Sequence, residues 1–184
     1  MIVIHPYRST WPAEFETIRA DLQRVLGERA VRIDHIGSTS VPGLGAKDVI
    51  DIQITVYELS EDIRDDLVQA GFKDNSGFRD HVPRGEQEAP HLWEKFVFNQ
   101  KPGERRANIH IRKLGYPNQR YALLFRDYLR AHPNATQSIE LIKQQLARYH
   151  AEDVEAYYDI KDPVYDLIWE AAKEWAVFTG WKPD

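Results

Sequence analysis

The chain has 184 residues, 42% of them hydrophobic, with 5 Trp, 9 Tyr and 7 Phe, enough apolar and aromatic surface for a real core. Charged residues make up 29%, with both signs mixed and a net charge of −5, which excludes a disordered composition and a global basic footprint for duplex nucleic acid. The lack of Cys excludes disulfides, thiolate catalysis and Cys-type zinc sites, and no run approaches the roughly 18 apolar residues of a membrane span.

The N-terminal string MIVIHPYRSTWP has no basic region followed by a long apolar run, which argues against a signal peptide. Together with the absence of Cys it agrees with a reducing compartment, and a cytoplasmic location is expected. In chain order, the spacing predicts a first helix from about Trp11 to Leu26. Thr10 serves as its cap, Pro12 sits in its first turn, and Phe15, Ile18, Leu22, Val25 and Leu26 make one stripe. Gly27 ends it. A short strand runs from Val31 to Ile36, then a loop from Gly37 to Ala46, then a strongly apolar strand from Asp48 to Tyr57. Ser60 to Gly71 reads as a second helix, Phe72 to Arg79 as the start of a further strand, and residues 83–90 as a polar loop. Leu92 to Asn99 and Ala107 to Lys113 read as two antiparallel strands.

From about Asn118 the pattern is helical only. Tyr121, Leu124, Phe125, Tyr128 and Leu129 form one stripe ended by Pro133, and Ile139, Ile142, Leu146 and Tyr149 form the next. Asp162 and Pro163 carry the cap and first-turn signal of a last helix. Val164, Leu167, Ile168, Ala171, Ala172, Trp175 and Phe178 give that helix a broad apolar face. The expectation is an α+β, or mixed α/β, chain: an α/β core over 1–117 and a helical extension over 118–184 packed on it.

The informative stretch is HIGSTSVPGLGAKDVIDIQ, residues 35–53. Gly37 and Ser38 directly follow a strand, where a glycine lets the backbone turn sharply and approach a ligand closely. Ser38, Thr39 and Ser40 add hydroxyls and backbone N–H donors, a set that suits phosphate oxygens, although the same string also makes an ordinary surface loop. Asp51 and Gln53 lie two apart on a strand and so share one face. A carboxylate inside an apolar strand is costly unless it is paired or coordinated, and Asp51 could hold a Mg²⁺ that bridges phosphates. Lys47, Arg79, Arg84, Lys95, Arg105, Arg106 and Arg112 surround this region in sequence. Each alone suits a solvated surface; converging, they would grip an anion.

The segment HIGSTSVPGLGAKDVIDIQI resembles the signature of the GrpB family. HVPRG (81–85), WEKFVF (93–98), RANIHIR (106–112), RYALLFRDYLRAHP (120–133) and YYDIKDP (157–163) are similar to the GrpB-type domain fused to dephospho-CoA kinase in some bacteria. The resemblance covers nearly the whole chain. It implies a nucleotidyltransferase-like mixed sheet flanked by helices, in which Gly37 and Ser38 match the Gly-Ser pair and Asp51 the first carboxylate. Gln53 stands where a second carboxylate belongs, and NIHIR places Asn108, His110 and Arg112, with no acid, where the third belongs.

On that footing Asp51 and His110 are the catalytic candidates and Asp51 the Mg²⁺ ligand. Gly37, Ser38, Thr39, Ser40, Lys47, Gln53, Lys95, Asn108 and Arg112 are the candidate phosphate-binding or substrate-binding set. His35, Asp51 and His110 would together suit a transition metal, and each histidine equally suits a satisfied polar core position. Lys161 fits either a reach into the pocket or a structural loop. One implied function is a Mg²⁺-dependent nucleotidyl or phosphoryl-type transferase acting on a small anionic substrate such as a nucleotide. The other is a non-catalytic module that binds a nucleotide-like or CoA-like ligand or assists a partner enzyme. Membrane insertion is not expected, and the acidic balance argues against nucleic acid.

Overall fold

The apolar residues sort into helical stripes and alternating strands, and that sorting fixes the layers. The structure is a computed structural model that describes residues 1–77, 81–86 and 89–183. In chain order the elements are α1 (Trp11–Leu26), β1 (Arg32–Ile36), β2 (Ile50–Val56), α2 (Glu61–Gln69), β3 (Lys73–Asp74), β4 (Phe96–Asn99), β5 (Ala107–Lys113), α3 (Pro117–Ala131), α4 (Pro133–Tyr149) and α5 (Val154–Thr179). The strands form one mixed sheet in the order β1-β2-β5-β4-β3. β2 and β5 pair in parallel, and every other pairing is antiparallel. The fold class is therefore the expected mixed α/β arrangement with helices on both faces.

Alternation makes the two faces of the sheet chemically different. One face carries Ile33, Ile50, Ile52, Ile54, Phe98, Ile109 and Ile111, all in one core with Trp11, Phe15, Leu22 and Leu26 of α1 and with Ile63 and Leu67 of α2. The other face carries Asp34 and Ile36 on β1, Asp51, Gln53 and Thr55 on β2, and Asn108, His110 and Arg112 on β5, side by side in register. The helices after β5 cover this polar face in part. α3 places the buried Asn118, Gln119 and Arg126 against it, and Val41 and Leu44 of the loop pack with Phe125, Leu129 and Ile139. No helix among the described residues is long and apolar enough to cross a membrane.

Several local expectations are corrected. Thr10 occupies the cap position of α1 but its side chain makes no capping hydrogen bond. The last helix begins at Val154, not at the Asp162–Pro163 signal: the Asp153 carboxylate accepts the Ala156 N–H at 2.9 Å and starts it two turns earlier. Pro163 lies inside α5, where it removes one backbone hydrogen bond. The helix turns Trp169, Ala172 and Ala176 inward onto Leu124 of α3. That rotation leaves Leu167 73% and Phe178 91% exposed, although both belong to the apolar stripe read from spacing, and Tyr149 of α4 likewise faces solvent. The strand expected from Phe72 is ordered as β3 only over Lys73–Asp74, and Arg79 lies outside the described residues.

Trp169→Ala should lower unfolding free energy in urea titration by about 3–5 kcal/mol, the cost of emptying an aromatic core site. Leu167→Ala should stay within about 0.5 kcal/mol of wild type; similar losses at both positions would place the buried face of α5 elsewhere.

Candidate functional site

The turn after β1 meets the carboxylate of β2. Ile36 pairs with Asp51 across the antiparallel ladder, so Gly37 emerges directly over the acid. Gly37 has φ +67°, and a Cβ built on it would lie 2.5 Å from Asp51 Oδ2. Only glycine satisfies both the backbone conformation and this approach. Residues Ser38–Ser40 then form one tight 3-10 turn.

The turn is held from three sides. His35 points to the opposite face of the sheet, where its ring stacks on Phe15 at 4.8 Å and Nε2 meets Thr39 Oγ1 at 2.9 Å. Ser40 Oγ donates to the Gly37 carbonyl at 2.6 Å. Arg130 of α3 donates to the Ser40 carbonyl from Nε at 3.1 Å and from Nη2 at 2.8 Å. Tyr165 of α5 faces the same hollow as Ser38.

Between the turn, the polar face of the sheet and helices α3 and α5 lies a hollow of about 810 Å³. Gly37, Ser38, Asp51, Lys95, Asn108, His110 and Arg112 line it, and so does Lys161. Tyr121 and Phe125 of α3 and Tyr158, Asp162 and Tyr165 of α5 form its far wall, with Arg106 at its exposed mouth. Four expected residues lie elsewhere. The Thr39 and Ser40 hydroxyls are spent inside the turn, as described. Lys47 is folded back so that Nζ donates to Tyr158 Oη at 2.8 Å and sits 4.8 Å from the Tyr157 ring centroid. Gln53 is fully buried beneath α3; it donates from Nε2 to the Gln119 carbonyl at 3.0 Å and accepts from Arg112 Nη1 at 2.7 Å. The expected His35–Asp51–His110 metal set does not assemble, because alternation puts His35 on the other side of the sheet. Among the described residues no three His, Asp or Glu side chains converge as a metal cage.

Electrostatically the floor is one acid among cations. Burial pushes the Asp51 carboxyl above its usual range, and the Asn108 amide and the charges of Lys47, Lys143 and Arg112 pull against that shift. Asn108 Nδ2 donates to Asp51 Oδ1 at 2.8 Å. Lys143 of α4, whose Nζ donates to the Gly45 carbonyl at 2.6 Å, is pushed down to about 7, first by burial and then by the Lys161 charge. Lys161 itself pairs with Asp162 at 2.5 Å and lies 3.9 Å from the Tyr165 ring centroid. His110 Nδ1 is 3.2 Å from Lys95 Nζ. Sequence reasoning passed over Lys143, Arg126, Arg130 and Tyr165, which sit at ordinary helix positions. Their only signal is tertiary.

Such a site can bind an anion through Arg106, Lys161 and the Ser38 turn. The donor set also bears on magnesium. Asp51 offers one committed oxygen and one facing Gly37, and Mg²⁺ needs six oxygens with several from water or phosphate. The residues therefore fit a Mg²⁺ carried in on a phosphate ligand, with Asp51 as its protein contact, rather than a self-sufficient site.

Two outcomes follow. Gly37→Ala should destabilise by at least about 1–3 kcal/mol from backbone strain alone, read by thermal unfolding, and Asp51 must also move. A variant as stable as wild type would mean the turn does not ride on the acid. His35 is held down at about 4, against an ordinary 6.5, by burial and by Arg130 and Arg126. Its unfolded form therefore takes the proton first as pH falls, so this stabilisation is complete above 6.5 and is lost between 6.5 and 4. Urea titrations should show a loss of up to about 3 kcal/mol across that window, since a tenfold change in proton affinity is worth roughly 1.4 kcal/mol. His35→Gln should flatten the slope between pH 5 and 6.5.

The family model described as GrpB protein matches residues 1–171. The dephospho-CoA kinase of Mycolicibacterium paratuberculosis is 36% identical over 188 residues, covering 94% of this chain and 46% of that protein. The chain thus spans under half the length of that relative. The crystal structure of the conserved protein GrpB from Enterococcus faecalis superposes with a TM-score of 0.77 at 27% identity, over 94% of this chain and 99% of that one. A structure of the Cid1 poly(U) polymerase is similar over 80% of this chain and 43% of its own at 12% identity and TM-score 0.48, a likeness too distant to carry an inference.

Proposed function

The chain belongs to the GrpB family, and from that premise we propose that its hollow binds a small phosphate-bearing anion of the nucleotide class, with Mg²⁺ entering as part of the bound ligand. One observation carries this reading: a half-buried carboxylate lies directly under a glycine-led serine turn, in a hollow whose other charged groups are mainly cationic. A phosphate would take hydrogen bonds from the Ser38 region and charge from Arg106 and Lys161. Its cation would meet Asp51 on the oxygen that Asn108 leaves open.

The transferase reading and the binding-module reading share this geometry and part at Gln53. Transfer through two metals needs a second carboxylate beside the first. Gln53 has both ends of its amide engaged under α3, away from the hollow. That favours binding, or chemistry with a single metal, over two-metal nucleotidyl transfer. The match to less than half of a dephospho-CoA kinase also suits a module that works beside another catalytic unit. On either reading His110 stands at the wall of the hollow as the group able to exchange a proton with a ligand.

Isothermal titration with ATP, GTP, CTP and dephospho-CoA, each with and without Mg²⁺, tests the reading. Mg²⁺ alone should give no binding heat. At least one phosphate ligand should bind more tightly with Mg²⁺ than without it, and Asp51→Asn should remove that gain. Equal affinities with and without Mg²⁺ across the panel would overturn the role given to Asp51.

A further inference from the structure

A row of three asparagines crosses the polar face of the sheet and ends on the acid. Asn108 Nδ2 donates to Asp51 Oδ1 at 2.8 Å. Asn99 Nδ2 donates to Asn108 Oδ1 at 3.1 Å. Asn75 Nδ2 donates to Asn99 Oδ1 at 3.0 Å. The row runs from β2 through β5 and β4 to the residue after β3. Asp51 pairs directly with Asn108, and Asn108 with Asn99. Asparagine is a poor strand residue, so two in strands and a third at a strand end, all on one face, need a cause beyond the sheet itself.

The direction of the row follows from chemistry. An ionised carboxylate only accepts, so Asn108 must turn its NH₂ toward Asp51. That turns its oxygen toward Asn99, which must then present its own NH₂. The same constraint passes to Asn75. Each amide polarises the next, and the whole row aims its donors at one carboxylate oxygen.

We propose that Asn75, Asn99 and Asn108 are positioning residues for Asp51, a directed amide relay that holds Oδ1 and thereby leaves Oδ2, beside Gly37, as the oxygen offered to a ligand-borne cation. The relay explains how a carboxylate can sit on the floor of the hollow without an ion-pair partner in direct contact among the described residues. Asn108 ties down Oδ1, and Oδ2 is left on the side where Gly37 carries no side chain. Asn75 also lines a second, adjoining hollow of about 1090 Å³, so the far end of the relay is open to solvent-borne groups there. The inference rests on the proposed function only for what Asp51 contacts. The relay itself is tested without any ligand.

The experiment is a ¹H–¹⁵N spectrum of the side-chain amides in the ligand-free protein, wild type against Asp51→Asn. Removing the acceptor-only end should shift the Asn108 amide most, Asn99 less and Asn75 least. The amide of Asn118, which donates to the Glu94 carbonyl at 2.9 Å away from the row, should stay in place. Asn99 and Asn75 resonances that do not move would overturn the relay. Should Asp51→Asn fail to fold, Asn75→Ala at the half-buried edge of the sheet reads the same row from its other end. It should move the Asn99 amide and then the Asn108 amide; a change that stops at Asn99 would likewise overturn the proposal. Failure of every nucleotide titration would leave these spectra unaffected, so the two readings fail separately.

Discussion

The contact between the Gly37 backbone and the Asp51 carboxylate organises the rest of the molecule around the hollow. It requires β1 and β2 to pair in one register, since a slip of one residue would turn Asp51 into the isoleucine core. It also requires the turn to be clamped, because a loop poised over a half-buried charge would otherwise swing out to solvate it. The clamps come from different layers: His35 and Thr39 on the α1 side and Arg130 from α3. Helix α3 is thus a structural part of the site, in addition to covering the sheet.

Charge and burial are set against each other throughout this region. Lys143 is buried with its ammonium on the Gly45 carbonyl and is pushed down to about 7 by burial and by Lys161. Asp51 is pushed the other way by burial. A phosphate arriving in the hollow would add negative charge beside the lysines and favour their protonated forms. On the apolar face of the same sheet the conflict is confined to His35, which burial keeps neutral; the isoleucine core around it carries the stability that lets the polar face hold partly compensated groups.

Much of the fold was legible in the chain because short-range periodicity is a local signal. The spacing of Phe15, Leu22 and Leu26 marks α1, and the isoleucines flanking Asp51 and Gln53 mark β2 with its two faces. What stayed hidden depends on tertiary geometry. Asp162–Pro163 is a good helix start in isolation, yet Asp153 caps α5 two turns earlier and Tyr157 is buried by that extension. Lys47 reads as a phosphate ligand beside a serine turn, but its partner Tyr158 lies 111 residues away. His35 is adjacent in sequence to the turn and opposite to the hollow in space, a consequence of strand parity combined with a preference for stacking on Phe15.

The parallel pairing of β2 with β5 has a consequence for how the molecule assembles. Asp51 and Asn108 are neighbours across that ladder although 57 residues separate them in the chain. Everything between, including α2, β3 and β4, must be looped out before the two central strands can meet, and closing so long a loop is slow compared with forming a helix or hairpin. The β1–β2 hairpin with α1 can collapse early on its isoleucine side while its acidic side is still bare. The polar floor of the hollow would then be among the last parts to close during refolding.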